Sequence, residues 1–131
     1  MPRLLTLACS LPVKPAKAWA MYLNPKTHAA ITGAPVKIGR KPGSAFSAFG
    51  GILTGRVLHV ESGRQIVQSW RSANWKAREL DSTLILTFLP EGKGTRLELA
   101  HVNVPASDFA GVTQGWEKYY FAPWRAYLSR A

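Results

Sequence analysis

Acidic residues are scarce in this sequence, and none occurs before Glu61. Seven Asp and Glu stand against 17 Lys and Arg, a formal net charge of +10. That imbalance attracts acidic partners, but net charge bears on solubility and non-specific association rather than on fold or activity. The basic residues are scattered, with no block of like charge and no aromatics interleaved on a basic face, so nucleic-acid binding is not expected. Cysteine is reduced to Cys9, which excludes an intramolecular disulfide and favours a reducing, cytoplasmic setting. No apolar window reaches the length of a membrane span. The stretch Leu4 to Cys9 behind Arg3 is shorter than a secretory h-region of roughly seven to fifteen residues, and it reads as a first strand. Also missing is any spacing of His, Cys and carboxylates that would converge on a metal ion. There is no internal repeat or low-complexity segment, and no cofactor is implied.

What is present is the balance of a folded protein. Of 131 residues, 47% are hydrophobic and 18% charged, which fits one domain spanning 1–131 that buries about two-thirds of its unfolded surface. After the break at Ser10-Leu11-Pro12, Pro15 opens a helical pattern in which Ala16, Trp19, Ala20 and Leu23 recur at three- and four-residue spacing. Asn24-Pro25 ends it. Lys26 to Ala34 adds a short helix closed by Gly33 and Pro35.

Strand patterns then follow in series. They run over Ala45 to Phe49, Ile52 to Glu61, Gln65 to Ser72, Thr83 to Leu89 and Thr95 to Val104, with turns at Gly50-Gly51, Ser62-Gly63 and Glu91 to Gly94. The connections are too short for crossover helices, so the sheet is expected to be an antiparallel meander. Alternation places Ile66, Gln68 and Trp70 on one face, with Leu84, Leu86 and Phe88 and with Leu97, Leu99 and His101. Arg96, Glu98, Thr83 and Thr87 fall on the other. A sheet with one apolar and one polar face packs on one side only. Asp108 to Leu128 reads as the helix that covers it, with Ser107 or Asp108 as N-cap. Its apolar stripe runs through Phe109, Val112, Trp116, Tyr119 or Tyr120, Pro123 and Tyr127. Pro123 removes one backbone hydrogen bond and predicts a kink near Tyr119.

Laid out this way, the chain resembles the activator of heat-shock-protein-90 ATPase homologue family within the START-like (SRPBCC) superfamily, from about His28 to Leu128. Three passages carry the resemblance: Phe46 with Phe49-Gly50-Gly51 and Gly55; Ile66-Val67 with Trp70-Arg71 and Trp75; and Gln114-Gly115-Trp116 with Tyr119-Tyr120-Phe121. It implies an α+β helix-grip fold (START-like, Bet v 1-like), in which a curved antiparallel β-sheet wraps around a long C-terminal α-helix. In eukaryotic members that look like this, the domain is the C-terminal half of a two-domain co-chaperone. Relatives elsewhere in the superfamily bind small apolar molecules in the cavity beneath the helix.

The leading expectation is a non-enzymatic domain that binds a small hydrophobic or amphipathic ligand between sheet and helix. Trp70, Trp75, Phe88, His101, Trp116, Tyr119 and Tyr120 are its candidate lining. The alternative is a co-chaperone-type interaction module docking an acidic chaperone or other acidic protein through Arg56, Arg71 and Arg96. A third reading is a small hydrolase or cyclase using His101 with Tyr119 or Tyr120, the one pair in the sequence that could serve as acid and base. Glu117 reads as a surface partner for Lys118 or a strand lysine. His28 and His59 show no spacing that joins them to His101, and Cys9 reads as a small buried hydrophobe.

Overall fold

The computed structural model describes residues 2–130. Seven strands form one antiparallel sheet in the order β1-β7-β6-β5-β4-β3-β2. They are β1 (Arg3–Leu11), β2 (Val36–Lys37), β3 (Ala45–Ala48), β4 (Leu53–Glu61), β5 (Gln65–Ser72), β6 (Ser82–Glu91) and β7 (Gly94–Val104). From β2 to β7 the chain is the expected meander. The first strand completes the sheet from the far end, pairing along β7 from Leu11 opposite Thr95 to Arg3 opposite Val104. Two short helices, α1 (Pro15–Leu23) and α2 (Pro25–Thr32), therefore carry the chain across the width of the sheet between β1 and β2. Asn24 separates them, its side chain accepting the Lys26 N–H at 2.9 Å. Gly33 closes α2 in the left-handed region at φ 81°, as expected for a helix C-cap.

Close approach explains one other glycine. A Cβ on Gly55 would lie 1.9 Å from the Ser69 carbonyl oxygen, and beside it the Arg56 N–H turns to the Ser69 hydroxyl at 2.9 Å. Only a residue without a side chain lets β4 run this close to β5.

The alternation read from the strands holds: Ile66, Leu84, Leu86, Phe88, Leu97 and Leu99 are all buried. The terminal helix departs from the single rod expected. A 3₁₀ turn (Ala106–Asp108) leads into α3 (Phe109–Gly115), a π-helical segment spans Trp116–Phe121, and α4 (Ala122–Leu128) completes the rod. The π segment lies where the kink was predicted, next to Pro123, whose missing N–H leaves a helical carbonyl unpaired and whose ring crowds the preceding turn. Its effect is rotational. A π turn inserts one extra residue, which turns everything after it by about 100° relative to a plain α-helix. The buried stripe is consequently Val112, Trp116, Tyr120, Phe121 and Trp124, with Pro123 and Tyr127 only half-buried. Trp124, outside the expected stripe, is 1% exposed and among the largest fully buried side chains. Asp108 precedes α3 but makes no side-chain cap bond; its carboxylate is used elsewhere.

Candidate functional site

Between the first half of the terminal helix and the β3–β5 end of the sheet lies a half-open cavity of about 430 Å³. The helix contributes Val112, Gly115, Trp116, Tyr119 and Tyr120, and the sheet contributes Phe49, Ile52, Leu53, Trp70 and Ser72. Asn74, Asp108 and Gly111 complete the lining. Four of the residues named from sequence, Trp70, Trp116, Tyr119 and Tyr120, thus meet at one hollow.

Trp75, Phe88 and His101 do not belong to that lining, each for a physical reason. Phe88 is on the inward face but six residues along β6 from Ser82, the partner of Trp70, roughly 20 Å from the cavity end of the strand. Alternation fixes a residue's face, not its position along the sheet. Trp75 packs behind Trp70 with ring centroids 5.6 Å apart, and its indole N–H donates to Asp108 Oδ2 at 2.7 Å. This bond occupies the carboxylate read from sequence as a helix cap.

His101 is fully buried behind Trp70 and Trp116. The Trp116 indole N–H donates to His101 Nδ1 at 3.2 Å, so the ring proton lies on Nε2 and is donated to Ser82 Oγ at 2.7 Å. Ser82 in turn donates to the Trp70 carbonyl at 2.6 Å. Burial pushes the His101 pKa down from its ordinary 6.5 to about 4, and the chain of donors holds one neutral tautomer. Both ring nitrogens are committed to this chain, so the expected acid–base pair of His101 with Tyr119 or Tyr120 is not formed.

The tyrosine's partner is instead His28, which the sequence did not single out. Its Nδ1–H donates to the Tyr22 carbonyl at 2.8 Å, and its Nε2 accepts from the Tyr120 hydroxyl at 2.9 Å. The Tyr22 hydroxyl donates to Gln68 Oε1 at 2.5 Å. Burial lowers the His28 pKa to about 4. It raises those of Tyr22 and Tyr120 well above the ordinary value. No sequence spacing joins these residues, because they come from α1, α2, β5 and the terminal helix.

Of the three arginines named from sequence, Arg56 lies on β4 two residues from Thr54, the partner of Arg71 on β5, whereas Arg96 lies apart on β7. Arg71 reaches back to its own β5–β6 connection, donating to the carbonyls of Lys76 at 2.6 Å and Glu79 at 2.5 Å and pairing with Asp81 at 3.2 Å. Arg56 donates to the Gly43 carbonyl, and Arg96 pairs with Glu98 at 3.0 Å. Arg96 lies opposite Leu89 and Trp70 opposite Ser82, so Arg71, one residue further along, lies roughly 26 Å from Arg96 along the sheet. Glu117 pairs with Arg125 on the next turns of the helix rather than with Lys118. Burial raises the Cys9 thiol to about 11 although Arg125 opposes the shift, which favours the protonated form over the nucleophilic thiolate.

Two further features define the cavity. Phe49 and Gly50 have φ of 52° and 67°, and the Gly51 N–H bonds to the Ala48 carbonyl at 3.2 Å. This is the geometry of a type I′ turn, in which the first position ordinarily takes Asn, Asp or Gly. A phenylalanine there costs about 1 kcal/mol or more in backbone strain, and its ring packs edge-on against Tyr119 and Tyr120 at 5.7 and 6.2 Å. The second feature is charge: Asp108 is the one ionisable side chain of Asp, Glu, Lys, Arg or His type among the lining residues. Sequence reading missed Phe49 as a lining residue although it belongs to the first resemblance motif. Among the described residues no cluster of three or more His, Cys, Asp or Glu could hold a metal ion, and no helix is long and apolar enough to cross a membrane.

Comparison with known proteins agrees with this architecture. Residues 12–129 match the family profile described as Activator of Hsp90 ATPase homolog 1-like protein. An activator of 90 kDa heat shock protein ATPase homolog from Dictyostelium discoideum is 29% identical over 79% of this chain, and the human homolog 1 is 26% identical over 89%. The chain spans only 27% and 34% of those two proteins. Among solved structures, an HSP90 activator from Plasmodium falciparum superposes with a TM-score of 0.88 at 21% identity, covering 95% of each chain. With the seven-stranded sheet, the long terminal helix and a profile match over nearly the whole sequence, the chain belongs to the Activator of Hsp90 ATPase homolog 1-like protein family.

Proposed function

We propose that this protein binds a small hydrophobic or amphipathic molecule in the cavity between the sheet and the terminal helix. The reading rests on the cavity itself. At about 430 Å³ it falls within the range of roughly 300–1,000 Å³ used for small ligands. Its walls are aromatic and aliphatic, with a few polar groups from Ser72, Asn74 and Asp108, the composition that orients an amphipathic molecule. The buried protonated thiol of Cys9 is compatible with a cytoplasmic setting. Thermal unfolding in the presence of fatty acids, sterols and aromatic metabolites tests the reading. A ligand at a hundred times its Kd stabilises the folded state by about 2.7 kcal/mol, whereas no change in melting temperature across the panel overturns it.

A second reading is favoured by the relatives named as activators of the 90 kDa heat shock protein ATPase: the domain contacts a chaperone of that class. The net charge of +10 would accelerate encounter with an acidic surface in a salt-dependent way. Chaperone ATPase rate measured with and without the protein, at low and high salt, tests it. An unchanged rate at low salt removes the idea.

A further inference from the structure

We propose that the cavity selects organic cations, specifically amines carrying an apolar or aromatic body, over anions. The inference deepens the ligand reading above and rests on it. Its starting point is an opposition between the whole molecule and the site. A protein of net charge +10 favours anionic ligands on global charge alone. The lining reverses this, for Asp108 is the charged side chain there and Phe49, Trp70, Trp116, Tyr119 and Tyr120 supply five aromatic rings to the same cavity wall. Surface charges act across solvent that screens them over about 8–10 Å, while a lining carboxylate acts at contact. Local charge therefore decides what the cavity accepts.

The carboxylate is held in place. Oδ2 accepts the Trp75 indole N–H at 2.7 Å, and the group makes no helix-cap bond. Oδ1 projects over Gly111, where an added Cβ would lie 2.7 Å from it. Glycine at this position leaves the oxygen its room. An ionised carboxylate has about four lone-pair sites, so the bond to Trp75 leaves capacity for an ammonium N–H. The start of α3 carries about half a positive charge, which is less than the full negative charge of the carboxylate beside it. Aromatic faces add a second attraction for a cation, strongest where water is excluded. The rim already holds one such pair, the Lys118 ammonium lying 5.2 Å from the Tyr119 ring centre.

The test uses three probes with one ring system: naphthalen-1-ylmethylamine, naphthalen-1-ylmethanol and 1-naphthoate, titrated against the full chain by thermal shift and calorimetry at pH 7. The amine is expected to bind about tenfold more tightly than the alcohol, and the naphthoate most weakly. Asp108→Asn keeps an oxygen for the Trp75 N–H while removing the charge, and should bring amine and alcohol to within about threefold of each other. Naphthoate binding as tightly as the amine, or an amine preference undiminished in Asp108→Asn, overturns the cation assignment and leaves the ligand reading standing. Failure of all three probes to bind the wild-type chain, alongside a null result in the broader panel, overturns both.

Discussion

The two halves of the terminal helix lie on the same sheet and meet different surroundings. Its second half is solidly packed: Phe121 and Trp124 are buried, Trp124 stacks on Tyr22 of α1 at 6.5 Å, and His28 of α2 is bonded to Tyr120. Its first half faces the hollow, with Val112 and Trp116 forming a wall and Tyr119 49% exposed at the mouth. Both halves carry large aromatics, Phe109, Trp116 and Tyr119 in the first and Tyr120, Phe121, Trp124 and Tyr127 in the second, so aromatic side chains alone do not fill the space and what lies opposite matters. Helices α1 and α2 fill one end, whereas the other is met by the tip of the β3–β4 hairpin and by the β5–β6 connection through Asn74 and Trp75. A cavity in this fold is an absence of plugging helix, bounded by strained and hydrogen-bonded residues that keep its walls apart.

The contrast can be broken most strongly at the packed end. Trp124→Ala should cost about 3–5 kcal/mol in urea unfolding, because the ring is 1% exposed and its deletion leaves a buried cavity. Val112→Ala at the cavity wall should cost about 1–2 kcal/mol. Equal losses at the two positions would deny the distinction between filled and hollow halves.

Acid should weaken both halves, since each is tied by a buried neutral histidine, His28 in one and His101 in the other. Their folded pKa values of about 4 lie below the ordinary 6.5, so between those values the unfolded chain binds more protons. The stabilisation is complete above about pH 6.5, declines as pH falls, and is lost by about pH 4, amounting to something on the order of 3 kcal/mol for each ring. Chemical unfolding at pH 7, 5.5 and 4.5 measures this. A flat profile would mean that the two rings are not neutral donors and acceptors in the folded state.

A smaller change sharpens the role of the His28 bond. Tyr120→Phe leaves the ring in place but strands His28 Nε2 without its donor, and should cost about 1–2 kcal/mol. The least effect is expected at the hairpin tip. With Phe49 at φ 52°, Phe49→Gly should be more stable than Phe49→Ala by about 1 kcal/mol. Ala exceeding Gly there would show that the left-handed backbone is not maintained.

Much of the framework was legible because it follows from periods of two and near four. The buried faces of β5, β6 and β7, the Ser62-Gly63 turn and the Gly33 helix stop all matched their residue patterns. The terminal stripe was readable only as far as Trp116 and Tyr120. Beyond that point the π segment rotated the register and buried Trp124 where a plain helix predicts Pro123. Site residues were harder still. Alternation could place Phe88 and His101 on the inner face but could not tell which end of the sheet stays hollow. Asp108 looked like a cap because Ser and Asp before a helix usually are one, and Trp75, 33 residues away, took the carboxylate instead.

By itself the sequence determined an antiparallel meander with one apolar face and an aromatic helix to cover it, since both follow from local side-chain spacing and burial. Only the tertiary structure decided where β1 pairs, which histidine meets Tyr120, and where the cavity opens with Asp108 in its wall. Those outcomes depend on contacts between residues tens of positions apart, whose geometry is set by the packing of whole elements and leaves no periodic trace in the chain.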